Sequence, residues 1–460
     1  MRITLEELLS VVKGKWNGVK IASFSNFALD SRKISKGGLF FALKGEKTDG
    51  HLFVKNAYEN GAAGAVVEED ISFFADDFLT IKTNSVKGAL IKLGRYARNK
   101  LNGRIIGVSG SAGKTTTKEM LSEVLETHFA IYKTEGNANT ELSLSLFFLN
   151  AERLKTDFCI VEMGVQKLGD MDILNRIVNP DIALLLNATV SHTEFLKSVE
   201  NVAKEKFKLA VFVNSKGGLV FLNGDDKNFV ELALNLKKKP LFFGLSSKND
   251  VSARIKKILV SGMELEIKNG TNVYTANFPF SGVNFAYDVL AAVSVANSLG
   301  IDTKEALNVL SRFRPLNGRG GETKLSKNRL LIDETYNSNP LSLEYSLSRF
   351  KEHQYPLFII LGDMLELGEY SEEAHGKIGK IIAYFKPDFV LAVGRYSKFT
   401  IEETYKRGVK NAFYFPKKED LCDFLKNEIA IPPFSVIFVK GSRGMEMEQC
   451  VKILKERFKE

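Results

Sequence analysis

The chain has 460 residues, 44% of them apolar and 26% charged, with 34 Phe and only 10 Pro. This excludes a disordered, collagen-like or coiled-coil protein and predicts a globular one of two or three domains. The formal net charge of +9 favours polyanionic partners such as nucleotides, sugar phosphates or nucleic acid without choosing among them. Because the basic residues sit among acidic neighbours in helical stretches, they read as a solvated surface, and nucleic acid is not the expected partner.

The opening MRITLEELLSVVKGKW mixes charge into every turn, unlike an export leader. Apolar runs such as FVLAV (389–393) and IALLL (182–186) are strand-sized, far below the roughly 20 residues of a membrane span. Cys159, Cys422 and Cys450 are odd in number and mostly far apart, which predicts free thiols in a reducing compartment, the cytoplasm.

Up to about residue 83, short β-like segments (GGLFFAL, GAAGAVVEE, DFLTIKT) surround one helix-like stretch, HLFVKNAYENGA, and predict a small α/β domain. The helix-like SVKGALIKLGRYARNKL (85–101) leads into a second block, where RIIGVSG, FCIVEMG and PDIALLLNA alternate with KTTTKEMLSEVLETHF and ENVAKEKFKLAVFV. Such βαβ alternation predicts a mainly parallel sheet. Asn269-Gly270 between two alternating runs marks a hairpin, and YDVLAAVSVANSLG closes the block with a helix. Past FRPLNGRGG (313–321) the alternation restarts with RLLIDE, PLFIILGDM, DFVLAVG and SVIFVKG, with helices near 341–351 and 372–385, a second parallel α/β unit. The expected domains are 1–83, 84–314 and 315–460.

GVSGSAGKTTT (107–117) lies between an apolar strand and a helix, the arrangement that aims backbone N–H groups and a helix N-terminus at a phosphate. Gly110, Ser111, Ala112 and Gly113 would line the loop, with Thr116 just beyond. Lys114 would reach the β- and γ-phosphates, and Thr115 would offer its hydroxyl to Mg²⁺. Val108 stands where the strict eight-residue phosphate-loop pattern has Gly. Glu162 and His192 follow strands, where the carboxyl ends of a parallel sheet open onto a ligand crevice, and each is a candidate to face a metal. Taken singly they read equally as a strand-end carboxylate and a loop histidine.

In ENVAKEKFKLAVFV the apolar Val199, Val202, Ala203, Leu209, Ala210 and Val213 form one stripe, and Lys206 falls inside it. A lysine there must snorkel, pair with an acid, lose its proton or be modified. Neutral lysine can take up CO₂ as a carbamate, which converts a cation into a two-oxygen ligand suited to Mg²⁺.

Taken together, DSRKISKGGLFFAL, KTDGHLF, GSAGKTTTKE, GNAN, VEMG, SHTEFLKSVENVAKEK, DETYNSNP, LGDMLELG and VKGSRGMEME resemble the Mur ligases. These are ATP-dependent, ADP-forming enzymes that extend the peptide of the cell-wall precursor UDP-N-acetylmuramate, and the last three segments resemble the branch that adds D-alanyl-D-alanine. The resemblance implies an α/β protein of three domains: a small N-terminal one binding the UDP end of the substrate, a central P-loop ATPase-like one, and a Rossmann-like C-terminal one that closes over ATP and takes the dipeptide. It implies a monomer acting in peptidoglycan synthesis on UDP-N-acetylmuramoyl-tripeptide and D-alanyl-D-alanine, through an acyl phosphate.

By the same resemblance Lys114 and Thr115 handle the nucleotide phosphates, Thr115, Glu162 and His192 serve magnesium, and Lys206 is a carbamylated lysine bridging to a second magnesium. Asn284, Arg319, Asp333, Tyr336, Asn337 and Asn339 match positions around ATP. Ser31 and Arg32 match a uridine-diphosphate contact, and Asn137, Asn139 and Thr140 match contacts to the acceptor. From the residues alone DETYNSNP is an Asn-rich turn ended by Pro340, GSRG in VKGSRGMEME is an anion site or an ordinary cap at a helix N-terminus, and Asp363, Glu366 and His375 belong to a solvated loop. Two other readings stay open, a ligase adding a single amino acid (Mur-type or folylpolyglutamate-type) and a basic P-loop ATPase acting on nucleic acid.

Overall fold

The computed structural model describes residues 1–45, 48–71, 73, 75–151 and 155–459; Lys47 of KTDGHLF lies outside the described residues. The chain divides into two compact units, one of residues 1–107, 129–165 and 169–182 and the other of 108–128, 166–168 and 183–460.

In the first unit a five-stranded sheet runs in the order Lys15–Gly18, Leu79–Lys82, Ala62–Val67, Gly38–Phe41, Phe27–Ala28, parallel except at the Lys15–Gly18 edge. Its core gathers Phe40, Val54, Ala57, Ala65, Val67 and Phe78. HLFVKNAYENGA is not one helix. Asp49 accepts from the His51 N–H and starts a 3-10 turn, Gly50–Phe53, before the short helix Val54–Glu59.

A further helix, Leu5–Val12, corrects the expectation of a single helix in this block. Thr4 and Glu7 cap it reciprocally and it buries Leu5, Leu8 and Val12. Glu7 also accepts from the Tyr96 hydroxyl (2.8 Å) and pairs with Lys100, which holds its carboxyl down at about 2. Helix Val86–Lys100 lies so close to helix Glu141–Leu149 that a Cβ on Gly94 would come within 2.6 Å of Ser145 Cα. Ile131–Lys133 and Lys155–Glu162 pair in parallel.

In the second unit Leu219–Asn223, Leu241–Gly244 and Val251–Ile258 pair in parallel, and Met263–Asn269 and Asn272–Phe278 continue antiparallel. The expected hairpin forms, with Gly270 at φ +60. A six-stranded sheet follows in the order Gly321–Leu325, Arg329–Glu334, Val436–Lys440, Leu357–Gly362, Phe389–Val393, Ala412–Phe415, all parallel but the first.

Apolar clusters cover both faces of this sheet, which explains the unbroken apolar runs LFIIL, FVLAV and VIFV. Because the last strand of the chain, Val436–Lys440, inserts between Arg329–Glu334 and Leu357–Gly362, the carboxyl ends of three strands lie side by side. They deliver DETYNSNP, VKGSRG and LGDMLELG to one edge. The three cysteines are free and buried, and no helix among the described residues is long and apolar enough to cross a membrane.

Candidate functional site

Strand Asn102–Ser109 ends in the loop 110–113, and helix Lys114–Leu125 begins at once. Gly113 has φ +85, and a Cβ there would meet Asp288 Oδ1 at 2.6 Å, so both conformation and space demand glycine. Asn187 braces the loop from the next strand: its carbonyl accepts from Ser111 N (2.9 Å), and its side chain accepts from Ala112 N (2.8 Å) and donates to Ala112 O (3.2 Å). Lys114 Nζ donates to Gly110 O at 2.8 Å, while Thr115 and Thr116 are buried.

Thr117 Oγ1 donates to Asp288 Oδ1 (2.6 Å), which ties this helix to helix Val283–Ser298. Burial pushes the Asp288 carboxyl up to about 7, against the opposing pull of Thr117 and Arg319. Asn284, on the first turn of the same helix, keeps Oδ1 buried without a hydrogen-bond partner among the described residues.

Lys206 is where its periodicity predicts, on the inner face of helix Val199–Ser215 and only 1% exposed. Its Nζ lies 3.2 Å from Gly110 O, the carbonyl that also takes Lys114, so two lysines converge on one acceptor at the phosphate loop.

His192 stands in the left-handed region (φ 54) at the start of the turn Thr193–Leu196. Its Nδ1 lies 2.5 Å from Glu366 Oε2, with the oxygen out of line for an N–H hydrogen bond, and His192 holds that carboxyl below its ordinary range. Ser191 Oγ donates to Ser111 Oγ (2.8 Å), which connects this segment to the phosphate loop.

In the first unit Glu162 is buried at its strand end and Oε1 accepts from Asn139 Nδ2 (2.8 Å), bringing two expected site residues together. Thr140 spends its hydroxyl on capping helix Glu141–Leu149, and Asn137 is exposed. Ser31 is buried and donates to Asn56 (2.7 Å), whereas the Arg32 side chain is 82% exposed and braced by Asp30, whose carboxyl it holds down at about 2. Among the described residues no three His, Cys, Asp or Glu side chains form a group able to hold a metal by themselves.

DETYNSNP is more than a turn. Asp333 Oδ1 accepts from Thr335 N and Oγ1 (3.1 and 2.7 Å), and the Arg319 guanidinium stacks 3.6 Å above the Tyr336 ring. Asn339 caps helix Pro340–Leu347 through Ser342 N (2.8 Å), and its Nδ2 reaches Ser111 O of the phosphate loop at 3.2 Å. Asn337 O accepts from Lys440 Nζ (3.1 Å), which also pairs with buried Glu334 at 2.9 Å.

The expectation for GSRG is corrected. It does not open an α-helix; Arg443–Met445 is a 3-10 turn, the α-helix starts at Glu448, and Arg443 pairs with Glu448 (3.0 Å).

The solvated reading of LGDMLELG holds for Glu366, whose side chain is 42% exposed, and is corrected for Asp363 and His375, each 2% exposed. Asp363 accepts from Tyr396 N, Ser397 N and Ser397 Oγ, the last two at 2.8 and 2.7 Å, and so caps helix Ser397–Lys406. Met364 N donates to His375 Nε2 (3.0 Å), so the ring proton is on Nδ1, which donates to Ser371 O (2.6 Å). Burial lowers the pKa of His375 and keeps it neutral. Asn187, Asp288, Glu334, Glu366 and Lys440 were not assigned to the site from the sequence; only the strand-end placement of Glu334 and Lys440 carried a signal.

Residues 23–100 match the Mur ligase family catalytic domain, 108–296 the Mur ligase middle domain and 321–443 the Mur ligase glutamate ligase domain. The chain is 30% identical to the UDP-N-acetylmuramoyl-tripeptide–D-alanyl-D-alanine ligase of Bacillus subtilis (strain 168), over 98% of each chain. It is similar to a crystal structure of MurF from Acinetobacter baumannii, with a TM-score of 0.88 and 26% identity over 99% of each chain. It is also similar to MurF from Thermotoga maritima in complex with ADP, with a TM-score of 0.82 and 25% identity over 94% of this chain and 97% of that one.

Proposed function

The chain belongs to the Mur ligase family, and from that premise we propose that it adds D-alanyl-D-alanine to UDP-N-acetylmuramoyl-tripeptide, forming an amide at the expense of ATP in peptidoglycan precursor synthesis. Full-length likeness to ligases of that name supports the reading, and the phosphate loop carries it. The γ-phosphoryl group goes to the free carboxylate of the tripeptide, with ADP leaving. The dipeptide amine then attacks the acyl phosphate through a tetrahedral intermediate, and phosphate leaves.

The residues present fit a magnesium nucleotide. Gly113, at φ +85, turns the loop directly into helix Lys114–Leu125 so that the helix N-terminus faces a phosphate, and Asn284 Oδ1 is a buried acceptor suited to a donor such as an adenine amine. Lys114 orients the β- and γ-phosphates, residues 110–116 line the cradle with the N–H groups of 113–116 aimed at the phosphates while Asn187 holds those of Ser111 and Ala112, and Arg319, Asp333, Tyr336, Asn337 and Asn339 cover the nucleotide. Thr115, Glu162, His192 and Lys206 are the residues we assign to two magnesium ions, an assignment the resemblance carries. Bound magnesium offsets the repulsion between two anions and the charge that develops on the transferring group.

The convergence of buried Lys206 and half-buried Lys114 on Gly110 O supports a carbamate on Lys206, because two like charges beside one acceptor favour the neutral amine that takes up CO₂. The ammonium first loses a proton, and the neutral amine then adds to CO₂, forming an N–C bond and releasing a second proton, so that a cation becomes an anion. Ser31 and Arg32 hold the diphosphate of the UDP end, and Asn137, Asn139 and Thr140 touch the acceptor. The working domains are 1–83 for UDP, 84–314 for ATP and 315–460 for closure and the dipeptide, in a cytoplasmic monomer, consistent with its free cysteines.

The test is ADP release from purified protein with UDP-muramoyl tripeptide. D-alanyl-D-alanine should stimulate it and single amino acids should not. Stimulation by one amino acid, or by DNA or RNA without any UDP-linked peptide, overturns the reading.

A further inference from the structure

The LGDMLELG segment has no part in the chemistry described so far, yet it is held by hydrogen bonds to several other elements of the second unit. Asp363 and His375 fix its two ends through the cap on helix Ser397–Lys406 and the Met364–His375–Ser371 chain. At its tip Glu366 and Gly368 both have positive φ, 62 and 59, a strained state for a glutamate that persists only where neighbours impose it.

The neighbours that do so flank His192. Glu194 N donates to Glu366 O (3.3 Å), Thr193 Oγ1 donates to Leu367 O (2.9 Å), and a Cβ on Gly368 would stand 3.1 Å from Glu194 Cα. The residue this clasp brings to His192 Nδ1, at 2.5 Å, is the Glu366 carboxylate.

The same loop is bound to the other two C-terminal motifs. Leu365 N donates to Ser442 Oγ (2.9 Å), Ser442 Oγ donates to Ser338 O (3.1 Å), and one residue on Asn339 Nδ2 rests on Ser111 O. The three motifs thus form one hydrogen-bonded platform with two points of purchase, one on the phosphate loop and one on His192.

We propose that Glu366 is a positioning residue that holds His192 for metal. An imidazole binds a metal through one nitrogen only if the other keeps the proton, and a carboxylate beside that other nitrogen fixes both the tautomer and the ring orientation. Glu366 Oε2 stands 2.5 Å from Nδ1, and a turn of the ring that brings Nδ1–H into line with it leaves Nε2 for a cation. Because Glu366 rides on the platform, His192 is set in place together with the contact of Asn339 on the phosphate loop. The inference rests on the assignment of His192 to magnesium.

The experiment measures Mn²⁺ affinity of the full-length protein with ADP for wild type, Glu366→Gln, His192→Ala and the double variant, alongside the side-chain ¹⁵N shifts of His192 without metal. Glu366→Gln should weaken Mn²⁺ about 10- to 100-fold and shift the His192 tautomer away from Nδ1–H. His192→Ala should weaken Mn²⁺ at least as much, and Glu366→Gln should add nothing to it. Glu366→Asp should recover part of the loss.

Mn²⁺ affinity within twofold of wild type in Glu366→Gln, while His192→Ala is weakened, overturns the positioning role and leaves the ligand assignment standing. An equal further loss from Glu366→Gln in the His192→Ala background also overturns it, since the effect then does not pass through the imidazole. Unchanged affinity in His192→Ala overturns the ligand assignment and the inference together.

Discussion

Replacing Lys440 by Met strands a carboxylate inside the C-terminal sheet. Glu334 and Lys440 face each other in register on neighbouring parallel strands, their side chains are each 5% exposed, and Nζ lies 2.9 Å from Oε2. Among the described residues Ser346 Oγ donates the only other hydrogen bond to that carboxylate (2.6 Å), and Oε1 has none. Removing the cation leaves a buried charge with one hydroxyl for company, a change that costs roughly 3–5 kcal/mol.

Hydrogen exchange of peptides spanning 329–334 and 436–440, read by mass spectrometry, measures that loss locally, and protection should fall by about two to four decades. Glu334→Leu combined with Lys440→Met should return most of the protection, because an apolar pair of similar volume replaces a buried ion pair at little net cost. Ligase activity should stay low in that double variant, since nothing then holds the Asn337 carbonyl that Lys440 anchors. A loss under about 1 kcal/mol in Lys440→Met would refute the reasoning, for the carboxylate would then be solvated or already neutral.

Gly113→Ala should weaken ADP binding at least tenfold by calorimetry, because a side chain at φ +85 costs about 1–2 kcal/mol and its Cβ would displace Asp288; unchanged binding would count against the loop geometry. Asp288 keeps its proton up to about 7 in the folded chain, against an ordinary 3.8. Stability should therefore fall as pH rises between these values, while the unfolded chain releases the proton and the folded one retains it, and the full penalty applies above pH 7. Asp288→Asn should remove that slope and stabilise the protein at pH 8 by on the order of 4 kcal/mol; a mutant-minus-wild-type difference in unfolding free energy that is flat from pH 4 to 8 would contradict it. Lys206→Ala should lose most activity without recovery in bicarbonate, and wild type should slow in CO₂-free buffer. Indifference of both to CO₂ would exclude the carbamate.

What could be read without a structure was whatever depends on spacing along the chain. The phosphate-loop motif is eleven contiguous residues running from the end of a strand into a helix, the hairpin at Asn269-Gly270 is a two-residue signal, and Lys206 falls in a stripe with Val202, Ala203, Leu209 and Val213. Where local signals were weak the reading failed. Helix Leu5–Val12 shows three buried apolar positions in eight residues and is held by its capping box and by Tyr96 and Lys100 far along the chain. LGDMLELG looked solvated because polarity was taken for exposure, whereas Asp363 and His375 are buried with partners at Ser397 and Ser371.

Tertiary structure alone decided the pairings across long separations: Thr117 with Asp288, Ser111 with Asn339, Glu334 with Lys440, and His192 with Glu366. A parallel sheet sets strand neighbours by crossover connections, so residues a hundred positions apart become adjacent without leaving a periodic trace in sequence. The order that inserts Val436–Lys440 between Arg329–Glu334 and Leu357–Gly362 is what gathers three C-terminal loops at one edge. No local pattern encodes it, because that order follows from which apolar faces can be buried together.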